Sequence, residues 1–202
     1  MIVIINSGVA NVRSVQKAIE KAGLEAKIGE DPDDLRGAKG IVLPGVGAFR
    51  RGMEYLEQKG FVGPLRKWME GDGPLLGICL GFQLLCAESE EFGLHRGLGL
   101  FPGRVKRFPR GLKVPHMGWN SIRLKKRDPL LEGIPEGSYF YFVHSYCLEE
   151  TDPSLVLATT EYGIIFPSVV RRGRVYATQF HPEKSQALGL RLLQNFGKIC
   201  QC

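Results

Sequence analysis

Three short runs without a polar side chain, Ile2–Ile5, residues 41–43 and residues 74–78, each pass through a turn into a stretch with helical spacing. A strand that is apolar on both faces has to be covered on both faces. This is the pattern of parallel strands packed between two layers of helices. After the first run, Asn11 is placed to cap a helix in which Val12, Val15, Ile19 and Ala22 share one stripe, and Gly23 follows as its stop. A further strand is predicted at 26–28, helices at 53–58 and 65–70, and a short amphipathic helix at 82–87 directly after the third run.

Beyond about residue 98 the pattern changes to short runs broken by Gly and Pro: 104–108, 121–124, 139–143, 156–160, 164–170 and 175–180. A last helix is predicted over 185–199, with Leu188, Leu192, Phe196 and Ile199 on one face and Ser185 as its cap. No repeat or linker divides the chain. The expected fold class is α/β: an open mixed, mostly parallel sheet flanked by helices, with a strand-rich second half. With 202 residues, 44% of them hydrophobic, the material suits one core, so residues 1–202 are expected to form a single domain.

The opening Met1 to Asn6 has no basic leader or cleavage site, and no window reaches the length of a membrane span, so a cytoplasmic protein without membrane contact is expected. Five cysteines, an odd number without framework spacing, argue against a stapled secreted domain. Cys86 and Cys147 are expected to be buried structural thiols. Cys200 and Cys202 lack neighbouring ligands, so no metal site is expected. Of the net charge of +6, the informative part is the stretch 104–127, with nine Lys or Arg and no Asp or Glu. No nucleic-acid-binding pattern accompanies it, so it is expected to be a solvated or partner-facing surface rather than a nucleic-acid site.

The chemistry centres on Cys79. In Gly77-Ile78-Cys79-Leu80-Gly81 the thiol sits on the turn between a strand and a helix, a cysteine version of the nucleophile elbow. At a helix start, free N–H groups and the helix dipole favour a thiolate and can hold an oxyanion. A base is offered by His181, which a predicted strand delivers just ahead of Pro182 and Glu183. Residues two apart in extended chain point the same way, so Glu183 can hold one ring nitrogen and leave the other for the thiol. His-Pro-Glu alone is commonly a surface turn; the elbow cysteine gives it weight. His116 and His144 lie among aromatics and are assigned no catalytic role, and His95 is expected to be exposed. Pro44-Gly45-Val46-Gly47 follows a buried strand and can bring backbone N–H groups to the carboxyl edge of the sheet. A dinucleotide-binding reading fails, because Arg50 stands where the third glycine belongs.

These residues resemble the class I (triad) glutamine amidotransferases, and within them the branch of imidazole glycerol phosphate synthase glutaminase subunits. Gly77-Ile78-Cys79-Leu80-Gly81 with Gln83, and His181-Pro182-Glu183, carry the wider resemblance. Pro44-Gly45-Val46-Gly47-Ala48-Phe49, Pro115-His116-Met117-Gly118-Trp119-Asn120, Tyr141-Phe142-Val143-His144-Ser145-Tyr146 and Gln179-Phe180-His181-Pro182-Glu183-Lys184-Ser185 carry the branch. One departure is Asn6-Ser7-Gly8, where the family has Asp-Tyr-Gly; Asn11 and Arg13-Ser14-Val15 still match. The resemblance implies a Cys79, His181, Glu183 triad that hydrolyses glutamine, with no cofactor. It implies an oxyanion hole from the N–H groups of Leu80 and, after a peptide rearrangement, Val46. Gly47, Gln83, Glu91, Ser145 and Tyr146 would hold the amino-acid end of glutamine. Trp119, Tyr141 and Lys184 would face a (β/α)8-barrel cyclase that receives the ammonia in a heterodimer. The rival readings are the glutaminase of another synthase, a cysteine peptidase or other hydrolase of related fold, and a binding subunit that has lost catalysis.

Overall fold

The computed structural model describes residues 1–6, 8 and 11–201. Ser7 of the departing Asn6-Ser7-Gly8 stretch and Cys202 of the terminal cysteine pair lie outside the described residues. In chain order the first half contains β1 (Ile2–Ile5), α1 (Val12–Lys21), β2 (Ala26–Gly29), β3 (Gly40–Gly45), α2 (Phe49–Gln58), α3 (Val62–Glu70), β4 (Leu75–Cys79) and α4 (Leu80–Leu85). There follow β5 (Cys86–Ser89), β6 (His95–Arg96), β7 (Phe101–Arg107), β8 (His116–Ser121), β9 (Arg123–Leu124), β10 (Tyr139–His144) and β11 (Tyr146–Glu149). The chain closes with β12 (Val156–Tyr162), β13 (Ile164–Arg172), β14 (Val175–Thr178) and α5 (Gln186–Ile199).

The central sheet has eight strands in the order β2-β1-β3-β4-β14-β13-β12-β9. Pairing is parallel from β2 through β14 and antiparallel from there to β9. The expected mixed, mostly parallel α/β sheet is therefore present. The all-apolar β1 shows why helices flank it on both sides. Ile2 and Ile4 pack into a core formed with Val15, Ile19, Leu192 and Phe196 of α1 and α5. Val3 and Ile5 pack into a second core on the opposite face with Phe49, Leu56, Leu65 and Leu84 of α2, α3 and α4. Each side chain so buried stabilises the fold by about 1.5–3 kcal/mol. The remaining strands form a four-stranded sheet, β11-β7-β5-β6, and the pair β10-β8.

Several boundaries differ from the sequence expectation. The helix expected at 82–87 is α4, which begins at Leu80, is buried at every position and ends at Leu85; Cys86 onward is drawn into β5 by pairing with β7 and β6. An element buried all round shows no amphipathic stripe, so periodicity misplaces its ends. The run at 121–124 is divided between β8 and β9, and β14 stops at Thr178 rather than reaching 180. Ser185 occupies the cap position of α5 without capping it; its hydroxyl donates to His181 O at 2.6 Å and accepts from Tyr141 N–H at 3.0 Å. Asn11 does cap α1, accepting from Ser14 N–H at 3.3 Å. Cys86 and Cys147 are fully buried, and burial pushes both thiols well above their usual range. The basic stretch is partly neutralised: Arg104 pairs with Glu88 and Glu90, Lys106 with Glu150, and Arg123 with Glu161.

Candidate active site

Cys79 ends β4 with φ 54° and ψ −107°, in the left-handed half of backbone space that non-glycine residues avoid. That strained turn is the elbow, and it is held by close packing. A Cβ on Gly81 would lie 1.7 Å from the carbonyl oxygen of Leu43, so α4 can approach β3 only because residue 81 has no side chain. The sheet register sets Gly45 opposite Cys79, so Val46 leaves the ladder beside the thiol. Gly47 follows with φ 99°, which its lack of a Cβ permits.

His181 and Glu183 arrive from the end of β14. His181 N–H donates to Tyr141 O at 2.9 Å, pinning the turn to β10. Its Nδ1 lies 2.7 Å from Glu183 Oε1, with the two side chains 2% and 5% exposed. The expected contact is present, but the route to it differs. Beyond His181 the chain enters a short 3-10 turn at Pro182–Lys184 instead of continuing extended. Glu183 fixes the proton on Nδ1 and leaves the buried Nε2 for the sulfur. Burial alone would lower the His181 pKa. The charge and close contact of Cys79, followed by the Glu183 carboxylate, outweigh it and raise the pKa to about 10. A negative sulfur beside the ring therefore favours its protonated form.

A cavity of about 480 Å³ opens over Cys79. Val46, Gly47, Leu80, Gln83, Glu91, Ser145 and Tyr146 all line it, so every residue expected at the oxyanion and substrate positions meets in one hollow. Glu91 also supports the fold directly, since its Oε2 accepts the Phe49 N–H at 2.6 Å and so caps α2, where Ala48 has no side chain to do so. At the rim, Lys184 Nζ stands 5.7 Å from the centre of the Tyr141 ring, and that ring meets Trp119 edge-on at 6.2 Å. Trp119 is 46% exposed, and with exposed Met117 and Tyr139 it forms an apolar patch on the paired strands β8 and β10.

Three residues without an expected role also belong to the site. Gln179, fully buried, directs its amide nitrogen to Cys79 Sγ at 3.8 Å. His144 lines the cavity, and His116 lies directly across from it on β8, with 3.0 Å between their ring nitrogens. Burial lowers the pKa of His116 to about 4 and that of His144 to about 3, so both rings are neutral. In the sequence each of the three stands inside one of the stretches that carry the family resemblance. His95, expected to be exposed, is half-buried on β6 with a buried Nε2, a consequence of the unforeseen β5-β6 pairing. Among the described residues no cluster suited to a metal ion occurs, and no helix is long and apolar enough to cross a membrane.

Residues 3–200 match the family described as glutamine amidotransferase class-I. The chain is 52% identical to the imidazole glycerol phosphate synthase subunit HisH of Desulfitobacterium hafniense, over 98% of this chain and 94% of that protein. It is 53% identical to the subunit of the same name from Syntrophotalea carbinolica, over 98% of this chain and all, 100%, of the relative. A crystal structure described as a glutamine amidotransferase superposes with a TM-score of 0.79 at 24% identity, covering 99% of both chains. PurLQS from Thermotoga maritima superposes with a TM-score of 0.75 at 19% identity, covering 99% of this chain and 96% of that one. At these identities the two structures speak for the fold alone.

Proposed function

The chain belongs to the class I glutamine amidotransferase family, and from that premise we propose that it is the glutaminase subunit of an imidazole glycerol phosphate synthase. It hydrolyses glutamine to glutamate and ammonia, and the ammonia passes to a cyclase subunit that closes an imidazole ring in histidine biosynthesis. The observation that carries this reading is the near full-length likeness to synthase subunits of that name. We place the activity in a single domain spanning residues 1–202, in the cytoplasm, with a (β/α)8-barrel cyclase as the partner.

The geometry supports a covalent route. The Cys79 thiolate attacks the side-chain amide carbon of glutamine, and the carbonyl oxygen takes up negative charge. The N–H of Leu80, free at the start of α4, and that of Val46, beside it in the register, are the donors we assign to that oxyanion. The imidazolium of His181 gives its Nε2 proton to the departing nitrogen, so ammonia leaves and a γ-glutamyl thioester remains. The now neutral ring takes a proton from water, the hydroxide attacks the thioester, and glutamate departs as the thiolate and imidazolium are restored. Glu183 keeps the ring oriented through both steps. Gly47, Gln83, Glu91, Ser145 and Tyr146 hold the amino-acid end of the substrate, and Trp119, Tyr141 and Lys184 meet the cyclase around the cavity rim.

The test is glutamate release from glutamine, measured with and without the cyclase and its nucleotide ligand, for the native chain and Cys79→Ala. The expected result is slow release alone, strong stimulation in the complex and none from the variant. Equal turnover with and without the cyclase would contradict the coupled-subunit reading, and turnover by Cys79→Ala would contradict the nucleophile.

A further inference from the structure

A line of hydrogen bonds reaches the sulfur of Cys79, which also lies 3.8 Å from the Val143 carbonyl oxygen, and its direction can be read from one group that can only accept. The Tyr146 carbonyl oxygen receives His144 Nδ1 at 2.8 Å and Gln83 Nε2 at 2.9 Å. A carbonyl has no proton to give, so His144 carries its proton on Nδ1 and the amide of Gln83 has only one acceptable orientation. Gln83 Nε2 also reaches Gln179 Oε1 at 3.3 Å, which fixes the second amide in turn. Its nitrogen is then left facing Cys79 Sγ at 3.8 Å. The other branch is equally determined. With its Nδ1 proton committed, neutral His144 accepts at Nε2 from His116 Nδ1 at 3.0 Å, and His116 Nε2 accepts from Asn120 Nδ2 at 3.2 Å. Asn120 is itself oriented, since its Nδ2 donates to Glu161 O at 2.9 Å and its Oδ1 accepts from Ser121 N–H at 2.8 Å.

We propose that Gln179 is a further catalytic residue, whose side-chain amide donates to the Cys79 thiolate, and that Gln83 and the His144–His116 pair are positioning residues that keep it turned that way. An amide can offer a thiolate either a donor or a repelling carbonyl oxygen, and which one it offers here is settled by Gln83. Two glutamines in a buried site would otherwise interchange at little cost. Anchoring them to the Tyr146 carbonyl removes that freedom: reversing Gln83 would set its oxygen against Tyr146 O, and reversing Gln179 would set its N–H groups against those of Gln83. The neutral histidine pair prevents Tyr146 and β10 from relaxing away from this arrangement, since each ring satisfies the next. The titratable groups around Cys79 are His181 and Glu183 from the turn after β14, His144 and Tyr146 at the β10-β11 junction, Glu91 after β5, and Lys184. Of these, only His181 offers the sulfur a proton donor comparable to Gln179.

This role for Gln179 rests on the glutaminase reading of the site, but its test needs neither glutamine nor a cyclase. Iodoacetamide alkylation of Cys79 in the full chain is followed across pH by mass spectrometry of the Cys79 peptide, for the native protein, Gln179→Met and Gln83→Met. Gln179→Met is expected to slow alkylation near neutral pH by about tenfold, as for loss of a charge-assisted hydrogen bond, with the rate profile displaced to higher pH and its plateau kept. Gln83→Met is expected to displace the profile in the same direction by a smaller amount. A plateau that falls without displacement, or a profile that stays in place in Gln179→Met, would overturn the proposal. Should Gln179→Met fail to fold by circular dichroism, an undisplaced profile in Gln83→Met would overturn it instead. Displacement in a chain that releases no glutamate would retain this inference and contradict the glutaminase reading, so the two failures are distinguishable.

Discussion

Replacing Cys79 with alanine should change the titration of His181 more than any other property of the folded chain. The ring carries a pKa raised to about 10 against an ordinary value of 6.5, although burial acts to lower it. The influences opposing burial are the charge and close contact of Cys79, and then Glu183 at 2.7 Å. Two unit charges roughly 4 Å apart at an effective dielectric of about 20 attract by about 4 kcal/mol. Since one pH unit corresponds to about 1.4 kcal/mol, deleting the sulfur should bring the His181 midpoint down by roughly 3 units, to near neutrality. The sign follows from the ion pair: a negative neighbour favours the protonated ring, so its removal favours the neutral one. Long-range 1H–15N spectra of histidine-labelled protein resolve this. His116 and His144, at about 4 and about 3, stay neutral throughout the range in which His181 moves. A His181 midpoint unchanged by Cys79→Ala, or one already near 6.5 in the native chain, would refute the reasoning.

Glu183→Gln removes the carboxylate that fixes the ring tautomer, and glutamate release in the complex is expected to fall by about 10²- to 10⁴-fold with little change in the circular dichroism spectrum. Gly81→Ala places a Cβ 1.7 Å from Leu43 O, so the elbow cannot form as built; urea unfolding should show a loss of at least about 3 kcal/mol or no folded protein. Asn195→Ala strands the carbonyls of Leu130 and Glu132, which its Nδ2 reaches at 3.0 and 2.8 Å, and is expected to cost about 2–4 kcal/mol in the same assay. Trp119→Ala removes the exposed ring that packs edge-on against Tyr141, and titration with the cyclase should show weaker binding by at least about tenfold.

Much of the site lies in short contiguous stretches, and those were legible. The strand-turn-helix around Cys79 announces itself because an elbow needs an apolar strand, small flanking residues and a helix start within a few positions. His181 and Glu183 are near neighbours in the chain, so their contact could be anticipated even though the backbone between them turns rather than runs extended. Gln179 gives no such sign. It reaches Cys79 across 100 residues, through pairing of β14 with β4 that no local pattern encodes. The His116–His144 pair was hidden for a related reason: the rings meet only when β8 begins at His116, and that strand is interrupted by Gly118 and too polar to read as one. The capping of α2 by Glu91 joins residues 42 apart. Parallel β strands with apolar side chains on both faces declare their layer, whereas the buried α4 and the short β5 and β6 carry neither period.

The measurement that bears most directly on the central claim is rapid quenching of the chain, in complex with the cyclase, during its first turnover of glutamine, followed by mass spectrometry of the Cys79 peptide. A γ-glutamyl adduct on Cys79 that forms before glutamate appears, decays as it is released and is absent from Cys79→Ala is the expected result. Glutamate released at full rate with no adduct on Cys79 at any time, or from the alanine variant, would contradict the account.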